Sequence, residues 1–162
     1  MTADTAGARI RTRLRELGHE LPPVAAPVAA YVPAVSSGSQ VFTSGQLPFV
    51  DGALPLTGKV GAEVAPERAA ELAATCCLNA LAAVEDVLGS LDRVARVVKL
   101  TGYVASAPDF TGQPGVINGA SELLGEVFGR AGVHARSAVG VAVLPLDSPV
   151  ELDLVVEVSE RI

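Results

Sequence analysis

Apolar and polar positions follow two different periods along this chain, and each change of period marks an element. From Arg9 to Leu17, charged residues alternate with Ile10, Leu14 and Leu17 at helical spacing, and Gly18 follows as a C-terminal glycine stop. The pattern predicts a short N-terminal helix. Leu21 to Pro33 holds Pro22, Pro23, Pro27 and Pro33, which donate no backbone hydrogen bond and favour an extended, irregular arm. Tyr31 to Val35 and Gln40 to Ser44 read as two strands joined by the turn-forming Ser36-Ser37-Gly38-Ser39, a hairpin. Leu47 to Val60 contains Asp51-Gly52, Pro55 and Gly58 and reads as a loop with room for one short strand at its end.

Pro66 opens the longest helical pattern, in which Ala69, Ala73, Cys76, Ala80, Val84 and Leu88 recur at steps of three and four until Gly89 ends it. Its narrow, alanine-rich face suits close packing on a sheet. Val94 to Val104 is rich in valine, with Arg96 and Lys99 its charges, and predicts a strand inside the sheet. Helical spacing returns over Val116 to Phe128 through Ile117, Ala120, Leu124 and Val127. Ala135 to Leu144 and Val150 to Val158 are two further strands, separated by Pro145-Leu146-Asp147-Ser148-Pro149.

The order is ββ(β)αβαββ, an α+β pattern with one mixed sheet and two helices on a single face. Residues 1–162 read as a single domain, of which 1–30 form the N-terminal helix and proline-rich arm. Two helices leave the other sheet face uncovered, and the strands are apolar enough to predict oligomerisation through it. A hairpin of the last two strands centred between Leu146 and Asp147 would set Glu157 opposite Arg136 and Ala142 opposite Glu151. In that register Arg136 and Glu151 stand roughly 20 Å apart along the sheet and could converge only across a subunit boundary.

Composition narrows the partners. With 49% hydrophobic and 19% charged residues in 162, the chain can bury a core, and four phenylalanines without tryptophan make that core aliphatic. The net charge of −6 argues against nucleic acid, whose phosphates demand clustered Lys and Arg. Cys76 and Cys77 are adjacent on a helical pattern, where they can neither staple loops nor space a metal site, and they read as core and helix flank. No run is long and apolar enough to span a membrane, and Met1 to Gly18 is charged where a signal peptide is apolar, so the expectation is a cytoplasmic protein with no membrane partner. Phosphate-binding glycine loops, H-E-x-x-H and paired C-x-x-C are missing, and His19 and His134 lack a third ligand. Neither metal nor cofactor is expected.

Arg136 is the residue in a peculiar place. Its strand face is shared by the small residues Ala138, Gly140 and Ala142, which leave a hollow beside a permanent charge. A buried guanidinium needs an anion, because leaving it unpaired costs on the order of 3 to 5 kcal/mol. Either a bound carboxylate or a cross-strand ion pair with Glu157 would supply one. Glu151, Asp153 and Glu157 otherwise form a solvated strand face, and Asp153 is best read that way.

Five runs carry a resemblance: Tyr31-Val32-Pro33-Ala34-Val35, Val41-Phe42-Thr43-Ser44-Gly45-Gln46-Leu47-Pro48, Ala135-Arg136-Ser137-Ala138-Val139, Leu144-Pro145 and Val150-Glu151. In identity and spacing they resemble the RidA/YjgF family of small trimeric proteins, which includes enamine/imine deaminases. The resemblance implies a chorismate-mutase-like fold, a homotrimer and clefts between subunits. It implies that Arg136 holds a substrate carboxylate, that Glu151 positions the hydrolytic water, and that Tyr31 and Ser44 line the pocket. Without it, Ser44 is a strand-end hydroxyl and Tyr31 a half-buried aromatic. Gly45, Ala138, His134 and Asn118 join Arg136 as candidate substrate-binding residues, and Gly45 with Gln46 would shape the turn after Ser44.

The departures are the N-terminal arm, the longer loop at Gly112-Gln113-Pro114-Gly115, Ala138 in place of a common cysteine, and His134 in place of the usual proline. His134 either lines the pocket or faces solvent at the strand end. The implied activity is cofactor-free hydrolysis of short 2-enamino or 2-imino acids to 2-oxoacids and ammonia. The alternative is a non-catalytic module that senses small carboxylates in the same cleft; a ribonuclease or translation inhibitor fits the acidic balance less well.

Overall fold

The computed structural model describes residues 8–24 and 30–159, so the part of the proline arm at 25–29 lies outside the described residues. Helix α1 (Arg9–Glu16) buries Ile10 and Leu14 against the body. Its first amides find no side-chain cap locally; the Arg9 and Ile10 N–H groups donate to the Asp92 carboxylate at 2.9 and 2.8 Å. Arg11 pairs with Glu85, and Arg13 Nε donates to the Glu126 carbonyl at 3.0 Å, so both neighbouring helices hold α1 down.

The hairpin forms from β1 (Ala34–Ser37) and β2 (Gln40–Thr43), whose turn uses Gly38 at φ 62°. The first strand starts three residues later than the apolar run suggests, and Ser44 N–H instead reaches the Pro33 carbonyl at 2.8 Å. Helix α2 (Pro66–Leu88) has proline in its first turn and Gly89 at φ 77° as its stop. Strand β3 (Val94–Ala105) follows, then α3 (Gln113–Phe128). That helix begins before the predicted Val116 because Pro114 falls in its first turn, where no intrahelical N–H is required. Strands β4 (Ala135–Val141) and β5 (Val150–Val158) end the chain's regular structure.

The sheet order is β1-β2-β5-β3-β4, with β3 and β4 parallel and every other pair antiparallel. This corrects the expected hairpin of the last two strands. Helix α3 carries the chain from β3 to a parallel β4 at the sheet edge, and β5 inserts between β2 and β3. Burial explains the choice: β5 sinks Val150, Leu152, Leu154, Val156 and Val158 completely or nearly so, whereas β4 is only partly covered throughout. An edge strand loses least by being half exposed. The 142–149 connection is no tight turn, since Leu146 and Asp147 adopt φ of 57° and 56° within a short 3-10 turn.

Helix α2 packs on β1, β2 and β5, and α3 on β3 and β4, all on one sheet face. The two helices also touch each other. At Gly119 an added Cβ would overlap the Ala70 carbonyl, and at Gly102 it would overlap Ile117, so both positions need glycine for clearance. Cys76 and Cys77 are buried in this layer as expected, and burial pushes the Cys77 thiol up to about 12 and Cys76 well above its ordinary value. On the opposite face Val35, Phe42 and Val139 stand exposed, with Tyr103, Val155 and three carboxylates half-buried, and no described helix packs over them. Among the described residues no helix is long and apolar enough to cross a membrane.

Two substitutions on α3 test the helix contact. Gly119→Ala is expected to destabilise the fold by about 1 to 3 kcal/mol through overpacking. Gly115→Ala, with open space at its Cβ, should be neutral or stabilise by up to about 1 kcal/mol. Thermal unfolding distinguishes them, and equal effects would overturn the close approach at Gly119.

Candidate functional site

Arg136 sits on edge strand β4 opposite Leu100, so its side chain shares the helix-covered face with Ala138 and Gly140. The expected hollow is filled from α3. Gln113 reaches over Gly140 and donates to Ser106 Oγ at 3.2 Å, while Asn118 and Ser121 stand over the arginine. Arg136 Nη1 donates to Asn118 Oδ1 at 2.7 Å and to Ser121 Oγ at 3.2 Å. No carboxylate of the described residues pairs with it. The cross-strand alternative is overturned, because Glu157 on β5 lies between Gln40 of β2 and Arg96 of β3, on the open face, and β4 does not pair with β5. Ala138, opposite Gly102, is half-buried and packs against the core.

His134 lies just before β4, with both ring nitrogens engaged: Nε2 with Ser121 Oγ at 3.0 Å and Nδ1 with the Gly132 carbonyl at 2.6 Å. The ring is half-buried between α3 and the turn before β4. Ser121 was not legible as a site residue, although it follows Asn118 by three positions, the spacing that puts two side chains on one helix face.

Glu151 belongs to a second group on the open face. It stands opposite Tyr103 on β5, and a Cβ at Gly45 would overlap its carboxylate. The sheet brings these together through a bulge. Phe42 pairs with Val155 and Gln46 with Leu152, so four steps along the first strand match three along β5. Thr43 Oγ1 compensates by accepting the Leu154 N–H at 3.0 Å. Ser44 Oγ donates to the Val32 carbonyl at 2.6 Å, which ties the segment carrying Tyr31 to the bulge, and the Tyr31 ring is half exposed.

Asp153 departs from the solvated reading. It is half-buried, and the Tyr103 hydroxyl lies 3.4 Å from Oδ2, a long contact. Burial, then the neighbouring Asp153 charge, push the Glu151 carboxyl above its usual range, and burial does the same to Asp153. An elevated carboxyl is a better proton acceptor near neutrality.

The two groups do not meet within one chain. Arg136 and Glu151 lie on opposite sheet faces, two strands and three residues apart in register, roughly 14 Å between backbones. The separation replaces the 20 Å of the hairpin register and has a different origin. No group of His, Cys, Asp and Glu among the described residues is arranged to hold a metal ion.

A model of the YjgF/chorismate mutase-like family matches residues 11–158. The chain belongs to this family. Protein TCP17 of Trypanosoma cruzi is 46% identical over 155 residues, covering 95% of this chain and 97% of TCP17, α1 included. The 2-iminobutanoate/2-iminopropanoate deaminase of Escherichia coli K12 is 32% identical over 130 residues, 80% of this chain and 88% of the deaminase. Among solved structures, Atu1372 of Agrobacterium tumefaciens, of unknown function, superposes with a TM-score of 0.88 at 46% identity over 93% of each chain. E. coli TdcF with bound serine gives 0.60 at 26% identity, covering 86% of this chain and 94% of TdcF. The family and its fold are as the motifs suggested.

The raised carboxyls make a stability prediction. A folded-state value above the unfolded one contributes stability that is complete below the unfolded value and lost as pH rises through the folded one. Glu151→Gln and Asp153→Asn should therefore melt higher than the parent near pH 7.5, with the difference shrinking towards about pH 4. Thermal melts at the two pH values check this, and a lower melting temperature for both variants at neutral pH would reverse the assignment.

Proposed function

We propose that this protein hydrolyses short 2-imino or 2-enamino acids to 2-oxoacids and ammonia, in clefts where the Arg136 group of one copy faces the Glu151 group of another. The observation that carries the reading is the unpaired guanidinium of Arg136, aimed by Asn118 and Ser121 with no carboxylate of its own. Opposite sheet faces and an uncovered apolar sheet surface support assembly as a homotrimer. The names of the deaminase relative and of the serine-bound neighbour support a small carboxylate ligand.

The chemistry follows from the geometry of each group. Both N–H bonds of Arg136 Nη1 are taken by α3, which leaves the Nε and Nη2 edge to receive a carboxylate bidentately. That anchors the electrophilic carbon. A water held by Glu151 adds to the carbon of the protonated C=N bond, its proton passing to the carboxylate. The Glu151 carboxyl returns that proton to the carbinolamine nitrogen, the C–N bond breaks as ammonia leaves, and the hydroxyl proton passes to the carboxylate as the oxygen becomes the ketone. Ser44 has its hydroxyl proton committed to Val32, so its lone pairs face outward to accept from the imine N–H or the water. Tyr31 would flank the same nitrogen. The protonated imine is already electrophilic, and positioning supplies most of the acceleration.

Release of 2-oxoacid from imine generated in situ by an amino-acid oxidase measures the reaction against its uncatalysed decay. Arg136→Lys keeps the charge but loses the fork, and kcat/KM should fall by about 10²-fold or more with melting behaviour intact. Glu151→Gln should abolish turnover while retaining 2-oxobutyrate binding. Gly45→Ala needs only a flexible carboxylate to move, so the fold should survive and turnover should fall. Wild-type binding without turnover would favour a carboxylate-sensing module instead. Light scattering should report three copies, and a stable monomer would overturn the shared cleft.

A further inference from the structure

We propose that His134 and Ser121 are positioning residues that orient the Arg136 guanidinium, and so set the affinity for a carboxylate without touching it. The inference rests on the reading of Arg136 as the carboxylate site and assigns what holds that site in shape. Three hydrogen bonds in series carry it. The Gly132 carbonyl can only accept, so the 2.6 Å contact places the proton on His134 Nδ1. In the Nδ1–H tautomer, His134 Nε2 holds a lone pair and accepts from the Ser121 hydroxyl at 3.0 Å. With its proton pointed at the imidazole, Ser121 Oγ presents its lone pairs to Arg136 Nη1 at 3.2 Å.

Each member determines the next, and the direction of donation is the same throughout. The Nδ1–H tautomer fixes the serine rotor; the serine and Asn118 Oδ1 occupy both protons of Nη1. A guanidinium is rigid and planar, so pinning Nη1 fixes the plane in which Nε and Nη2 point. Take away the acceptor at 134 and the serine rotor is free to turn its own proton towards the arginine, where donor would meet donor. Ser121 is half-buried and His134 is half-buried, so bulk water substitutes poorly for either partner. His134 acts only through Ser121, and this makes the arrangement distinguishable from two independent contacts.

The test is a double-mutant cycle read by calorimetric binding of 2-oxobutyrate and by KM and kcat in the imine assay. Ser121→Ala should raise Kd and KM about tenfold, with kcat falling far less. His134→Phe, which keeps the ring and removes the acceptor, should raise them about fivefold, whereas His134→Gln, which restores an acceptor, should return close to wild type. The double variant Ser121→Ala/His134→Phe should bind no more weakly than Ser121→Ala. Imidazole nitrogen-15 shifts should show the Nδ1–H tautomer.

Additive effects in the double variant, an unchanged Kd in His134→Phe, or an Nε2–H tautomer would each overturn the relay. If Ser121→Ala fails to fold, the comparison of His134→Phe with His134→Gln still decides it. Wild-type protein that binds 2-oxobutyrate while the variants match it sinks the relay alone; wild-type protein that binds no 2-oxoacid sinks the carboxylate-site reading and the relay with it.

Discussion

Burial of one face of β5 is the constraint on which the rest of the structure depends. Five aliphatic side chains at alternate positions, from Val150 to Val158, must leave water together, and α2 is the helix that covers them. Each such side chain stabilises the fold by about 1.5 to 3 kcal/mol when fully buried, more than any ion pair on this molecule's surface can offer. A strand with that demand takes a central place, between β2 and β3. The partly covered β4, with its glycine, alanine and arginine, is left for the edge.

Placement of the site follows from this order. Because β3 separates β4 from β5, the arginine and the glutamate are two strands apart, and the parity of the register turns them to opposite faces. The same helix layer that covers β5 brings α3 across β4, so Arg136 meets the neutral Asn118 and Ser121. On the far side, the extra residue near Gly45 bends the strand end over Glu151, and the missing Cβ leaves room for the carboxylate. Half-burial there raises Glu151 and Asp153 together. A chain with a different strand order would carry the same residues without either arrangement.

Local pattern made much of this legible. The period of 3.6 in α2, with Pro66 before it and Gly89 after it, depends on contacts within a few residues and with one apolar layer, so it reads directly from residue spacing. The hairpin at Gly38 and the short α1 are legible for the same reason, as are the runs around Ser44, Arg136 and Glu151 that mark the family. Arg136 stood out by its chemistry, a fixed charge on a strand of small residues. Asp153 did not: alternation along β5 marks its face as open, and only the neighbouring Tyr103 shows how far it is shielded.

Elements, family and the identity of the candidate residues were thus determined by sequence, because helix and strand periods, caps and motif spacing are local properties of the chain. Strand order, register and facing were decided only by the tertiary structure. Two adjacent β-branched runs joined by a short connection look like a hairpin at every local level, and the competition for the buried centre of the sheet is a property of all five strands at once. Ser121 and His134 show the same division. Neither carries a signal by itself, and their link to Arg136 exists because the packing of α3 over β4 brings three separate segments within hydrogen-bond distance.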